Sequence, residues 1–466
     1  MTRSIQSAID AAGGVVTLLR NQTARAMTFP VPPEFTNWRT EQAAWRQTCV
    51  LFDQSHHMTD LFISGPDAVR LLSDFGVNGL DGFRPGQAKQ YVATNADGHV
   101  IGDAILFHLE DGLFDVVGHP TVPNWLEFNA GAGRYDVAIE RDENSADRPS
   151  GPPKEFRYEL QGPNAAAVME AAGAPIPQMR FFTMADFEIA GVRVRGLRHG
   201  MAGQPGVELF GPWSENERVL DALLGAGRDL GLVRAGAKAY STANLESGWV
   251  PSPPPGIFGE DMTAYRQWLP ADAVGALAGS MDSPDITDYL VTPYELGYGK
   301  VVRFDHDFHG RDSLEAMQAP HRTKVTLVWN ADDVASAFRS LFHDGLPAKY
   351  LELPKARYGL YQADKVVLGG ATVGMSMDLG YLVNEHAFVS LAVVDTELAP
   401  LGTEVHVLWG ESPNSRKPGV ERHEQVEMRA VVAPAPFVKQ VRDTYRAPSP
   451  QASRGTTHGA SQGAAS

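Results

Sequence analysis

One short phrase occurs twice in this chain, and it restricts the fold more than any other feature. In Phe62–Leu72, and again in Glu159–Met169, an extended run meets Gly-Pro-Asx and passes directly into a helical pattern. In the first copy Leu61-Phe62-Ile63-Ser64 reads as a strand, Gly65-Pro66 breaks it, and Ala68, Leu71 and Leu72 then share one helix face. Recurrence of the phrase predicts two related α/β halves within one chain.

The remaining pattern fills in that outline. With 46 Gly and 32 Pro in 466 residues the chain is rich in turns, and its length suits about three domains. Residues 1–50 read as two short helices around Phe29-Pro30-Val31-Pro32-Pro33. Lys89–Thr94, Asp97-Gly98 and Val100-Ile101 give a hairpin signal, because Asp-Gly supplies the positive φ of a tight turn. Leu113–Val117 reads as a strand, and Arg141–Lys154 as the first linker. Phe156–Leu160, Phe187–Arg195 and Val207–Phe210 read as strands of the second half, which the proline-rich stretch 250–256 closes. Beyond Phe304–Asp312, the runs Lys324–Trp329, Lys365–Leu368, Val389–Val394 and Glu404–Leu408 predict a small antiparallel barrel or sandwich. The expected division is 1–150 and 151–320 for the two α/β subdomains, 321–446 for the C-terminal β domain, and 447–466 for a disordered tail of Ser, Gly, Ala, Gln and Thr.

Charge and cysteine content narrow the function. A net charge of −16 opposes nucleic acid or an anionic membrane as the main partner, since both are bound through clustered Lys and Arg. A single cysteine, Cys49, leaves no internal disulfide and no multi-thiolate metal site. The N-terminus, charged at Asp10 and broken by Gly13-Gly14, lacks a secretory core, and no apolar run reaches the ~18 residues of a spanning helix. A cytoplasmic, soluble protein is expected, and nothing in the sequence bears on its oligomeric state. A phosphate-binding Gly-rich loop, a nucleophile elbow and a His-Glu-x-x-His helix are all missing; Gly297-Tyr298-Gly299-Lys300 lacks the length of a phosphate cradle.

Chemistry concentrates in Arg198–Glu208, a glycine-rich turn ending in a carboxylate, and in Tyr240-Ser-Thr-Ala-Asn-Leu-Glu-Ser-Gly-Trp249. These resemble the Arg-x-x-x-Gly-x-x-Gly-x-x-Glu turn and the Leu-x-Leu-Glu-x-Gly element of the aminomethyltransferase superfamily, whose shared ligand is tetrahydrofolate. Phe52–Met58 is similar to that family's Phe-Asp-x-Ser-His-Met with one residue inserted, Asp97–Asp103 to its Gly-x-x-x-Asp-Asp loop, and Asp307–Asp312 to its Phe-Ile-Gly-Arg element. Longer blocks at Asn37–Gln42, Lys89–Val92, Leu197–Ala202, Leu245–Pro253, Phe304–Phe308 and Gly374–Met377 resemble the tetrahydrofolate-dependent aromatic O-demethylases. The resemblance implies an α+β, aminomethyltransferase-like fold with a central folate cavity. It also implies methyl transfer from a methoxyarene of the syringate, vanillate or 3-O-methylgallate class to N5 of tetrahydrofolate, which leaves a catechol-type product.

That reaction expels a phenolate, whose conjugate acid has a pKa near ~10, and a tyrosine with a reference pKa of about 10 can protonate it with little mismatch. Tyr240 is therefore the expected general acid. By resemblance Asp103 lies near the reacting folate nitrogens, while Gln90, Tyr91, Val117, Gln161, Glu208, Glu246 and Trp249 line the folate site. In that set Glu208 pairs with the pterin edge and Trp249 forms its wall. Phe29, Gln54 and His57 are expected around the aromatic substrate, with no metal, because the His56-His57 pair lacks a third ligand. His119 stands where vanillate-type relatives carry an arginine for the substrate carboxylate; an imidazole replaces a guanidinium only if protonated or as a single hydrogen-bond donor, which leaves room for a differently substituted or uncharged methoxyphenol. Two other readings are a glycine-cleavage aminomethyltransferase, which Tyr240 and the demethylase blocks oppose, and a folate-binding iron–sulfur assembly factor, whose Lys-Gly-Cys-x-x-Gly-Gln signature is missing.

Overall fold

The chain's computed structural model describes residues 3–22, 29–317, 320–411, 417 and 419–446; the expected tail at 447–466 lies outside the described residues. Eleven strands build two sheets. They are β1 (Cys49–Asp53), β2 (Thr59–Ser64), β3 (Gln87–Thr94), β4 (Val100–Glu110), β5 (Leu113–Gly118), β6 (Ala138–Asp142), β7 (Glu155–Gln161), β8 (Met184–Ile189), β9 (Val192–Leu197), β10 (Gly206–Pro212) and β11 (Leu232–Ala235). One sheet has the order β3-β4-β5-β2-β6 and the other β11-β1-β7-β10-β9-β8. Every pairing in them is antiparallel except β1 with β11.

The repeated Gly-Pro-Asx phrase makes the same turn in both sheets. Gly65 has φ +120° and Gly162 φ +130°, and a Cβ on either would sit 2.6 Å from a backbone carbonyl, Asp136 O or Thr48 O. The next residues tie into the same neighbour: Asp67 N donates to Asp136 O at 3.3 Å, and Asn164 N to Thr48 O at 2.9 Å. Glycine is required twice because a neighbouring strand passes too close for any side chain.

The halves do not follow the expected sequence boundaries. β1, within the first 150 residues, pairs in the second sheet, while Ile5, Ile9 and Leu19 pack with Tyr265 and Leu269 into the first core. Consecutive strands β1 and β2 therefore belong to different sheets, and only residues 54–58 connect them. The linker expected at Arg141–Lys154 begins inside β6. The single strand expected at Phe187–Arg195 is a hairpin, folded at Ala190 (φ +51°) and Gly191 (φ +77°), a positive-φ pair suited to a tight turn.

A two-residue parallel pair joins β12 (Leu277–Ala278) to β14 (Tyr361–Gln362). The C-terminal strands β13 (Arg322–Trp329), β15 (Asp364–Leu368), β16 (Ala371–Leu382), β17 (Ala387–Asp395), β18 (Glu404–Trp409) and β19 (Val426–Ala433) close into a barrel, with β13 next to both β17 and β19. Closure leaves no free sheet edge. Among the described residues no helix is long and apolar enough to cross a membrane.

One buried cation joins the two sheets. Arg157 on β7 donates to Asp60 on β2 at 2.5 Å, to Asp115 on β5 at 3.2 Å and to Glu208 on β10 at 3.4 Å, with its guanidinium between the rings of Phe107 and Phe210. Removing one member of a buried ion network strands its partners' charges at a cost of about 3–5 kcal/mol. Arg157→Met is therefore predicted to lower stability by that amount in urea unfolding; a loss below about 1 kcal/mol would contradict the role given to this residue.

Candidate active site

Between the two sheets and the barrel lies a cavity of about 1680 Å³. Sites for one drug-sized ligand usually span ~300–1,000 Å³, so this one has room for two. Phe29, His57, Gln90, Asp103, Val117, His119, Tyr240 and Trp249 all face it.

Tyr240 marks one end. It closes the short helix Ala237–Tyr240, whose preceding residue Gly236 donates its N–H to the buried carboxylate of Glu41 at 2.9 Å. Glu41 also accepts from Phe35 N at 2.7 Å and Thr36 N at 2.8 Å, which fixes this helix against the N-terminal loop. The Tyr240 ring meets Phe52 and His57 edge-on, at centroid distances of 5.2 and 5.1 Å, and its hydroxyl is 3.0 Å from His57 Nε2. Phe29 closes the other side of His57, edge-on at 6.0 Å. Burial pushes the His57 pKa down to about 4, so the imidazole is neutral. Burial, reinforced by the Glu159 and Glu208 carboxyls, holds the Tyr240 hydroxyl well above its ordinary range, so it keeps its proton.

Asp103 on β4 faces the same cavity from a separate hydrogen-bond cluster. It accepts from Trp249 Nε1 at 2.8 Å, from the Tyr298 hydroxyl at 3.1 Å and from Gln90 Nε2. Burial outweighs these donors and lifts its pKa to about 6. Lys324, on β13 of the barrel, donates to Gly248 O at 2.9 Å, and burial lowers its pKa to about 8 against the pull of Asp103. Tyr298 and Lys324 were not expected from the sequence. The signal for Tyr298 was Gly297-Tyr298-Gly299, a stretch tested only for phosphate binding.

Behind the wall stands a second row. The carboxyl of Glu159 accepts from Met201 N at 2.7 Å and from Gln54 Nε2, and burial followed by the charge of Glu208 raises its pKa well above the usual range. Burial opposes ionisation of Glu208 too, but His199 and Arg157 outweigh it and hold that carboxyl below its ordinary value. Gln161 Oε1 accepts from Ala202 N and Gln204 N, both at 3.1 Å, tying down the glycine-rich turn; its Nε2 has no partner. Ligand atoms of Glu159, His199 and Glu208 converge within 4.8 Å, but Gln54, Met201 and Arg157 already donate to the two carboxyls.

Several expected wall residues are therefore not in the wall. Gln54, Gln161 and Glu208 lie in the second row, with His199, Gly200 and Met201 in front. Tyr91 turns away: on a strand alternate side chains face opposite sides, so with Gln90 in the cavity the Tyr91 hydroxyl donates to Leu72 O at 2.8 Å inside the core. Glu246 is also turned inward, pairing with Arg46 at 2.9 Å and Trp45 Nε1 at 3.2 Å to join two helices. His119 does face the cavity. Its Nδ1 lies 2.7 Å from Thr121 Oγ1, and burial together with the nearby Arg357 charge pushes its pKa down to about 4, so it carries no charge at neutral pH.

Comparisons with known proteins give the chain's family and fold. Residues 7–264 match the GCVT N-terminal domain family. The chain is 46% identical to a syringate O-demethylase of Sphingobium sp., over 96% of this chain and 98% of the other. It is 30% identical to a sesamin methylene transferase of Sinomonas sp., over 87% and 90%. Among solved structures, the glycine cleavage system aminomethyltransferase T of Bartonella henselae superimposes with a TM-score of 0.61 at 20% identity, covering 91% of this chain and 95% of that one, and so shares the fold.

The state of Asp103 is open to direct measurement. Its folded-state pKa is raised, so ionising it costs stability progressively as pH climbs from about 4 to about 6, and fully above that. A carboxamide in its place cannot ionise. In urea unfolding, Asp103→Asn should gain on wild type across this window, by on the order of 1–3 kcal/mol at ~1.4 per pKa unit; a difference that does not change with pH would contradict the assignment.

Proposed function

The chain belongs to the GCVT N-terminal domain family, and we propose that it removes a methyl group from a methoxylated aromatic of the syringate, vanillate or 3-O-methylgallate class. The methyl passes to N5 of tetrahydrofolate, leaving a catechol-type product. The observation that carries this reading is a half-buried, protonated Tyr240 held by a neutral His57 in a cavity with room for two ligands, which Asp103, a carboxyl of raised pKa, also faces.

The donor set suits tetrahydrofolate. Trp249 and Tyr298 offer aromatic surface, Gln90 and Asp103 face the cavity with hydrogen-bonding atoms, and Gln161 Nε2 stands unpaired behind Gly200, where a Cβ would strike the Gln161 amide at 2.4 Å. Trp249, Gln90, Val117 and Asp103 would hold the pterin directly, with Gln161 and Glu208 supporting the turn that backs it. When bound, tetrahydrofolate supplies a neutral amine nucleophile that takes the methyl group and gives up a proton.

Tyr240 acts on the other reactant. As the methyl–oxygen bond breaks, its hydroxyl donates a proton to the departing aryl oxygen. The burial that raises the Tyr240 pKa also raises that oxygen's demand for a proton, so donor and acceptor stay matched in one site. His57, in the tautomer with hydrogen on Nε2, donates to the Tyr240 oxygen and leaves the phenolic proton free to face the substrate. Phe29 forms an apolar wall beside them. Asp103, poised near pKa 6, takes up the proton released at the amine.

Tyr240→Phe is predicted to reduce turnover of syringate by roughly 10²–10⁴-fold, the span of general acid–base groups, while calorimetry finds tetrahydrofolate affinity unchanged. Turnover within a few-fold of wild type would remove Tyr240 from the reaction.

A further inference from the structure

Most of the half-buried cations facing the cavity are already engaged. Lys324 and Lys89 donate to backbone carbonyls, Arg141 to Glu127, Glu143 and Asn124, and Lys355 to Asp378 at 2.6 Å and Asn244 at 3.1 Å. Arg357 differs. Among the described residues it is the half-buried cation of the cavity wall that has neither hydrogen bond nor ion pair.

Its backbone is fixed on both sides. Tyr381 N donates to Pro354 O at 2.7 Å, and Lys355 bridges to Gly380. Gly359 has no room for a Cβ, which would lie 2.7 Å from that of Ala278. Arg357 is also placed at the Tyr240 end. Its neighbour Lys355 reaches Asn244, in the short helix Ala243–Ser247 that follows Tyr240, and the Arg357 charge is felt by His119. The charges felt by Tyr298 and Lys324 are instead those of Asp103 and Arg446.

A half-buried guanidinium with no hydrogen bond or ion pair of its own has its donors free for a ligand, and its planar fork matches a carboxylate in two parallel hydrogen bonds. We propose that Arg357 is the specificity-determining residue of this cavity, pairing with the carboxylate of an aromatic acid so that methoxybenzoates are favoured over neutral methoxyphenols. This rests on the demethylase reading above and assigns the counter-charge that the neutral His119 cannot provide.

The glutamyl tail of tetrahydrofolate also carries carboxylates, so the test separates the two sources. Arg357→Met and Arg357→Lys are assayed in the full chain with tetrahydrofolate on syringate and on 2,6-dimethoxyphenol, the same ring without the carboxylate; calorimetry gives the tetrahydrofolate Kd. The expected result for Arg357→Met is a fall in kcat/KM for syringate of roughly 10- to 100-fold, carried by KM, the span of a hydrogen bond to a charged group. Turnover of 2,6-dimethoxyphenol and the tetrahydrofolate Kd should stay unchanged, and Arg357→Lys should recover part of the loss. Equal losses on both compounds, an unchanged preference, or a weakened tetrahydrofolate Kd would overturn the assignment, as would a wild-type preference for the neutral phenol. Wild-type protein that demethylates neither compound would overturn the demethylase reading itself, and this inference with it.

Discussion

The Arg157 guanidinium is the constraint from which the rest of the architecture follows. It reaches carboxylates on β2 and β5 of one sheet and on β10 of the other, so the two halves meet at a fixed separation, and the cavity is the space that separation leaves. Burial makes the arrangement costly for any one group: the guanidinium answers the charge of Glu208, while burial and the neighbouring Asp60 push the Asp115 carboxyl well above its ordinary range. Glu208 shows the consequence: held by Arg157 and His199, it stays ionised in an apolar interior, and its charge in turn helps keep Glu159 and Tyr240 protonated.

Desolvation then assigns proton states across the cavity. The same effect leaves His57 and His119 uncharged, Tyr240 an acid and Asp103 a carboxyl that titrates near neutrality. A protonated phenol and a carboxyl of raised pKa thus face one hollow, the pair to which the proposed reaction gives the roles of proton donor and proton acceptor. The connector 54–58, which crosses between sheets, carries His57 to the donor end; helix Ala237–Tyr240, tied down through Glu41, brings the phenol to meet it.

Features governed by neighbouring residues were legible in the sequence. The two Gly-Pro-Asx turns, the Asp-Gly hairpin and four of the barrel strands all follow from local chemistry, and Asp103, His57, Tyr240 and Trp249 do face one cavity. What distant partners decide was not legible. Glu208 points at a guanidinium 51 residues earlier in the chain, and Glu246 at Arg46, 200 residues away. Tyr91 was misplaced for a different reason: the two-residue alternation of β3 puts it opposite Gln90, and a motif read as a block hides that alternation. The split of β1 from β2 had no local mark, since a five-residue connector is also ordinary within one sheet. Arg357 carried no motif at all, and its interest lies in the partner it lacks.

The central claim is that the aryl methyl group moves intact to the amine of a reduced folate. Its most direct test is to supply the purified protein with syringate labelled with carbon-13 in its methoxy groups, together with tetrahydrofolate, and to follow the label by NMR. The account predicts that the label appears as 5-methyltetrahydrofolate in step with the demethylated phenol, and that no product forms without the folate. Label emerging as methanol or formaldehyde, or demethylation proceeding equally well without tetrahydrofolate, would contradict it.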